Sequence, residues 1–184
     1  MKKLVMGLSV IALTASACWA WEPSLGAYGS YWDPKDGKST WGGGVKLELP
    51  VVAPVLVEVR GTYFDDVFGN RVHNEELRLR DIPVEAGLAV DIAPVEKVHL
   101  LVGGGASYHY LHSDLGEVKD EWGWYGAASV QVMFTERLGI FGEGIYRGIE
   151  GNVDHLRNDI DFTRTSESLR LDGWGANAGL IVKL

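Results

Sequence analysis

The sequence predicts an all-β protein: an eight-stranded antiparallel up-and-down transmembrane β-barrel with short periplasmic turns and longer extracellular loops. Three observations carry that prediction. Apolar and polar residues alternate with period 2 from about Leu25 to Leu184, which is the signature of strands. The apolar face of the clearest stretch, Trp122–Phe134, has aromatic residues at both ends, as a strand crossing a bilayer requires. The connections between segments alternate between short and long.

Eight segments follow in order, at about 24–32, 40–49, 54–64, 80–92, 97–112, 121–134, 137–148 and 171–184. The first puts Leu25, Ala27 and Tyr31 on its apolar face, and the second Trp41, Val45, Leu47 and Leu49. The third presents Val55, Val57, Val59 and Tyr63. The fourth presents Ile82, Val84, Ala86, Leu88, Val90 and Ile92, with Pro83 predicting a bulge or break. The fifth carries Val98, Leu100, Val102, Ala106, Tyr108 and Tyr110, and the sixth Trp122, Trp124, Gly126, Ala128, Val130, Val132 and Phe134. Leu138, Ile140 and Tyr146 mark the seventh; Trp174, Ala176, Ala178, Leu180, Val182 and Leu184 mark the eighth.

Pro50–Ala53, Ala93–Glu96 and Thr135–Glu136 form the short turns. Asp33–Ser39, Asp65–Leu79, Ser113–Asp120 and Ile149–Arg170 form the longer, polar loops, and an even strand number puts both termini on the periplasmic side. Trp41, Tyr63, Tyr108, Tyr110, Trp122, Trp124, Tyr146 and Trp174 all fall near the loop ends, where an aromatic girdle meets lipid headgroups. A soluble eight-stranded barrel would bury its apolar face inside instead, and the aromatic placement and loop alternation favour the membrane version.

The opposite faces hold Lys46, Glu48, Glu58, Arg60, Glu85, Asp91, Arg137, Glu143, Arg147 and Lys183, together with His99, His109, Tyr125, Ser129, Gln131 and Asn177. An eight-stranded barrel is just wide enough for side chains to fill it. Buried charges must then pair, and equal numbers of acids and bases among those ten predict a salt-bridged plug rather than an open pore. Glycines on the same faces, such as Gly44, Gly87 and Gly175, leave room for the long side chains.

The N-terminus reads as a signal peptide over residues 1–20, followed by one barrel domain over 21–184. Lys2 and Lys3 precede an apolar run from Leu4 to about Ala17 that is too short for a transmembrane helix. Cleavage is expected after Ala20; the alternative is cleavage after Ala17 with Cys18, the sole cysteine, lipidated. Loss of the two lysines takes the formal net charge from −8 to −10. An acidic chain without a basic stripe argues against nucleic-acid binding.

Asp81-Ile-Pro-Val-Glu-Ala-Gly87 resembles the strand start common in the OmpA/OmpX-like family of eight-stranded outer-membrane β-barrels. Leu180-Ile-Val-Lys-Leu184 resembles their barrel-assembly signal, although it ends in Leu where Phe or Trp is usual. The resemblance implies an integral, monomeric protein of a Gram-negative-type outer membrane. Its partners would be membrane lipid, lipopolysaccharide and, during biogenesis, the barrel-assembly machinery. The expected role is structural or surface-interactive, through loops whose ligand the sequence does not identify, with a narrow pore or a lipid-modifying enzyme as rivals.

No cofactor, metal or catalytic role is expected. Ser107 and His109 share a face with Glu143 on another strand, which reads as part of a lumen hydrogen-bond network rather than a nucleophile and its base. Asp33, Asp36, Asp154, His155, Asp159 and Asp161 match no calcium or zinc spacing and read as solvated loop positions.

Overall fold

A computed structural model describes residues 22–35, 38–65, 71–72, 75–76, 79–93, 97–113, 121–151, 169–170 and 172–184. The positions expected to form a signal peptide, Ala17, Cys18 and Ala20 among them, and positions Asp36 and 154–161 lie outside the described residues.

Alternation produces strands where it was expected. They are β1 (Ser24–Pro34), β2 (Thr40–Val52), β3 (Val55–Phe64), β4 (Leu79–Asp91), β5 (Val98–Ser113), β6 (Glu121–Met133), β7 (Leu138–Gly151) and β8 (Gly173–Lys183). Each pairs antiparallel with the next in sequence, and β8 pairs with β1 from Ser24↔Lys183 to Pro34↔Gly173, which closes the barrel. Closure leaves none of these eight strands with an unpaired edge. Two short ladders stand at the loop end: Arg71–Val72 pairs with Glu75–Glu76, and Leu169–Arg170 extends the top of β7.

Several strands run past their expected ends. β2 continues through Pro50 because the chain bulges between Pro50 and Val52, which relieves the missing amide hydrogen. Pro83 does not break β4, which keeps unbroken register with β5 through Pro83↔His109. Its effect is confined to the β3–β4 seam, where pairing passes from Gly61↔Val84 to Phe64↔Asp81 without pairs at Thr62 and Tyr63. The strand ends leave connections that alternate in length as expected: two, six and four residues after β2, β4 and β6, and five, fourteen, seven and twenty-one after β1, β3, β5 and β7.

Burial decides which way the barrel faces. Val45, Leu88 and Leu180 are 57%, 56% and 55% exposed, whereas Lys46, Glu85 and Arg147 are 1%, 0% and 0% exposed. A protein designed for water would reverse that assignment. On β6 the outward run from Trp124 to Phe134 spans roughly 25 Å once strand tilt is allowed for, matching the apolar band of an outer-membrane barrel.

Large side chains share the interior with charges, a content the alternation did not reveal. Tyr28, Met133, Phe141 and Ile181 form one apolar cluster, and Leu56, Ala89 and Leu101 another. Tyr28 fits because Gly44 faces it: a Cβ at Gly44 would sit 2.6 Å from the Tyr28 Cζ and 2.5 Å from the Gly61 carbonyl oxygen. The Tyr28 hydroxyl also hydrogen-bonds the Thr62 hydroxyl at 2.7 Å, so the ring cannot swing away freely. Gly44→Ala is therefore expected to cost about 1–3 kcal/mol, the usual penalty of overpacking. Urea unfolding of the refolded barrel checks this, with Gly142→Ala as the control, since a Cβ at Gly142 meets no atom within 4 Å.

Candidate functional site

The lumen is the candidate site, and its chemistry starts from three buried cations. Lys46 on β2 contacts Glu48 at 2.9 Å and Glu58 at 3.7 Å. Arg60 on β3 donates to Glu58 on its own strand and to Glu143 on β7, and its Nε lies 3.6 Å from Glu85 on β4. Arg147 on β7 donates through Nε and Nη2 to the two oxygens of Glu85, at 2.9 and 3.3 Å. Glu85 thereby joins both guanidinium groups, and Glu58 joins Arg60 to Lys46. The result is one connected ionic network across the bore.

Neutral partners complete the network. Asn177 donates to Glu143 at 2.6 Å and accepts from Ser30 at 2.6 Å. Gln131 and Ser24 each donate to Glu48 at 2.8 Å. Aromatic faces cover the cations: Lys46 Nζ stands 3.9 Å from the Phe141 ring centroid, and the Arg60 guanidinium 4.8 Å from that of Tyr125.

Two expected members stand elsewhere. Arg137 is exposed in the β6–β7 turn, one residue before β7 begins, where alternation no longer dictates direction. Lys183 is the last residue of β8 and only partly buried at the rim. The equal count of acids and bases therefore fails. Among the described buried residues, Glu48, Glu58, Asp81, Glu85, Asp91 and Glu143 share only Lys46, Arg60 and Arg147 as permanent cations.

Asp81 is the member that sequence reasoning missed. It lies inside the expected fourth segment and shares strand parity with Glu85, a legible signal. Two histidines answer the surplus carboxylates: His99 Nδ1 lies 2.7 Å from Asp91 and His109 Nδ1 lies 2.9 Å from Asp81. Ser107 and His109 stand in a lumen hydrogen-bond network, as expected, and do not meet Glu143. Glu143 is engaged by Arg60 and Asn177, and the partners of His109 are Asp81 and Ser107.

Outside the barrel, the rings form stacked groups at the loop end. Tyr108 packs against Tyr110 and Trp122 at centroid distances of 4.8 and 4.9 Å, and Tyr146 against Trp124 and Trp174 at 5.6 and 5.0 Å. Trp41 pairs with Tyr31 at 5.1 Å, and Tyr63 is exposed near the end of β3. At the other end Phe134 is exposed where β6 enters its short turn.

The fold that positions these residues has solved counterparts. OprG, an outer-membrane protein from Pseudomonas aeruginosa, aligns over 89% of this chain and 95% of its own at a TM-score of 0.63 and 14% identity. Neisserial surface protein A aligns over 88% and 96% at 0.59 and 14% identity. Outer membrane protein W of E. coli aligns over 89% and 97% at 0.59 and 15% identity. The chain has the fold of the eight-stranded outer-membrane β-barrels. No protein-family model and no curated protein matches it by sequence.

Proposed function

We propose that this chain is an integral outer-membrane protein of a Gram-negative-type cell, with a lumen closed by its ionic network and a structural or surface-interactive rather than enzymatic role. The observation that carries the reading is Arg60: one guanidinium reaches carboxylates from β3, β4 and β7, so it ties opposite walls together at mid-bore. Buried side chains flank it toward both ends, with Leu56 and Ile181 on one side and Trp32 and Phe64 on the other. A path for solute requires a continuous wet channel, and interlocked buried charges and rings oppose one.

In this reading the outward rings meet membrane lipid and lipopolysaccharide headgroups, and the connections at the loop end present the interactive surface. β8, with Leu180 and Val182 on its outward face, would be read by the barrel-assembly machinery during insertion. The chain would act as a monomer, without nucleic acid or cofactor.

Planar-bilayer recordings of the refolded protein test closure. The expected trace is flat; steady single-channel steps overturn the plug in favour of a narrow pore. Outer-membrane fractionation, together with a gel mobility that shifts on boiling, tests location and barrel formation separately.

A further inference from the structure

We propose that Ser107 is an activated nucleophile in the loop-end half of the lumen, placed to be acylated by a small, uncharged, activated ester. The inference goes beyond the envelope role and rests on a hydrogen-bonded series within β4 and β5. Ser107 Oγ lies 3.2 Å from His109 Nε2, and His109 Nδ1 lies 2.9 Å from Asp81 Oδ2. All three residues are at most 1% exposed.

Donor logic fixes the direction of the series. The Asp81 carboxylate can only accept, so His109 Nδ1 carries the hydrogen. The neutral ring then presents a lone pair at Nε2, and Ser107 donates its hydroxyl hydrogen to it. A nucleophile, its base and a third group orienting the base thus stand in working order. Nothing in the ionic network uses Ser107 or His109.

The surroundings suit an acyl group. Ser107 pairs across β5–β6 with Gly123, which has no side chain, and across β4–β5 with Glu85, whose carboxylate Arg147 holds. The Trp32 ring lies 6.3 Å from the His109 ring, and Arg147 spans Trp32 and Phe64 at 5.9 and 5.6 Å from their centroids. Trp32 Nε1 and Arg147 Nη1 are buried donors without a hydrogen-bond acceptor among the described residues. The triad stands near the loop-end termini of β4 and β5, while the Arg147–Glu85–Arg60 bonds close the bore beyond it. The proposed route runs from the loop end past the buried Trp32 and Phe64 rings, which restricts it to a small, uncharged group.

The step balances. The Ser107 Oγ–H proton passes to His109 Nε2 as Oγ forms a bond to the ester carbonyl carbon. The bond from that carbon to the leaving oxygen breaks, and the leaving group takes the proton from His109. Asp81 is a positioning residue that holds the ring in its reactive tautomer.

The test treats the full-length refolded barrel with p-nitrophenyl acetate and maps acetylation by peptide mass spectrometry. Folding of each variant is checked by its heat-shifted gel mobility. The expected result is one acetyl group on Ser107, absent in Ser107→Ala. His109→Gln should slow its formation by about 100-fold or more, the usual worth of a positioned base. Asp81→Asn should slow the labelling as well, and Asp81→Glu should restore part of the rate. Acetylation confined to surface lysines overturns the proposal, as does an unchanged Ser107 labelling rate in folded His109→Gln.

Discussion

Replacing Arg60 by Met is expected to destabilise the barrel by about 3–5 kcal/mol, the cost of removing one partner from a buried ionic group. The loss is large because Arg60 serves Glu58, Glu85 and Glu143 together. Without it, among the described residues, Glu143 keeps only Asn177 as a side-chain partner, and Glu58 keeps only the 3.7 Å contact with Lys46. Glu85 retains Arg147 and should suffer least. Equilibrium urea unfolding of the refolded protein in detergent, followed by tryptophan fluorescence, measures the difference. The double variant Arg60→Met/Glu143→Gln should recover part of the loss, because it deletes one stranded charge. An Arg60→Met barrel as stable as the parent would show that the network is wet enough to dispense with pairing.

A positive charge on the outer face should be almost as costly. Val130 on β6 points outward, 45% exposed, between the Trp124 and Phe134 levels. Val130→Arg puts a guanidinium near mid-membrane, where a lipid-facing charge costs about 2–4 kcal/mol. The measurement is the unfolding free energy in phospholipid vesicles, compared with Trp174→Arg at the interface, where the cost should fall to about 0–1 kcal/mol from the charge alone. A soluble barrel would accept Val130→Arg at little cost, since the residue would then face water. The pair therefore tests orientation in lipid directly.

Much of this protein was legible because its signals are local. Whether Val130 and Gln131 occupy opposite faces depends only on the strand period, and both faces were read correctly before any partner was known. The alternation of turn lengths is equally local, and it implied that all the longer connections share one end. Errors gathered where local periodicity ends. Arg137 lies one residue before β7, so a strand boundary misplaces it, and Lys183 ends β8 at the rim; Asp81 lies inside the expected segment with the parity of Glu85 and was overlooked. Trp32 and Phe64 share their lumen parity with Ser30 and Thr62, but their size masked them. A search for charge overlooks large rings among the glycines that make room for them.

The sequence by itself determined the strand identity, the inverted polarity and the end at which the longer loops gather, because each follows from spacing along the chain. Only the tertiary structure decided who pairs with whom inside. Arg60 reaches Glu143, and Asn177 reaches both Glu143 and Ser30, because closure and strand register bring distant strands to the same level of a narrow bore. The same register joins Asp81, His109 and Ser107, and leaves Glu143 to Arg60. Parity along a strand assigns a side chain to the lumen, but height and azimuth within the lumen are properties of the closed barrel.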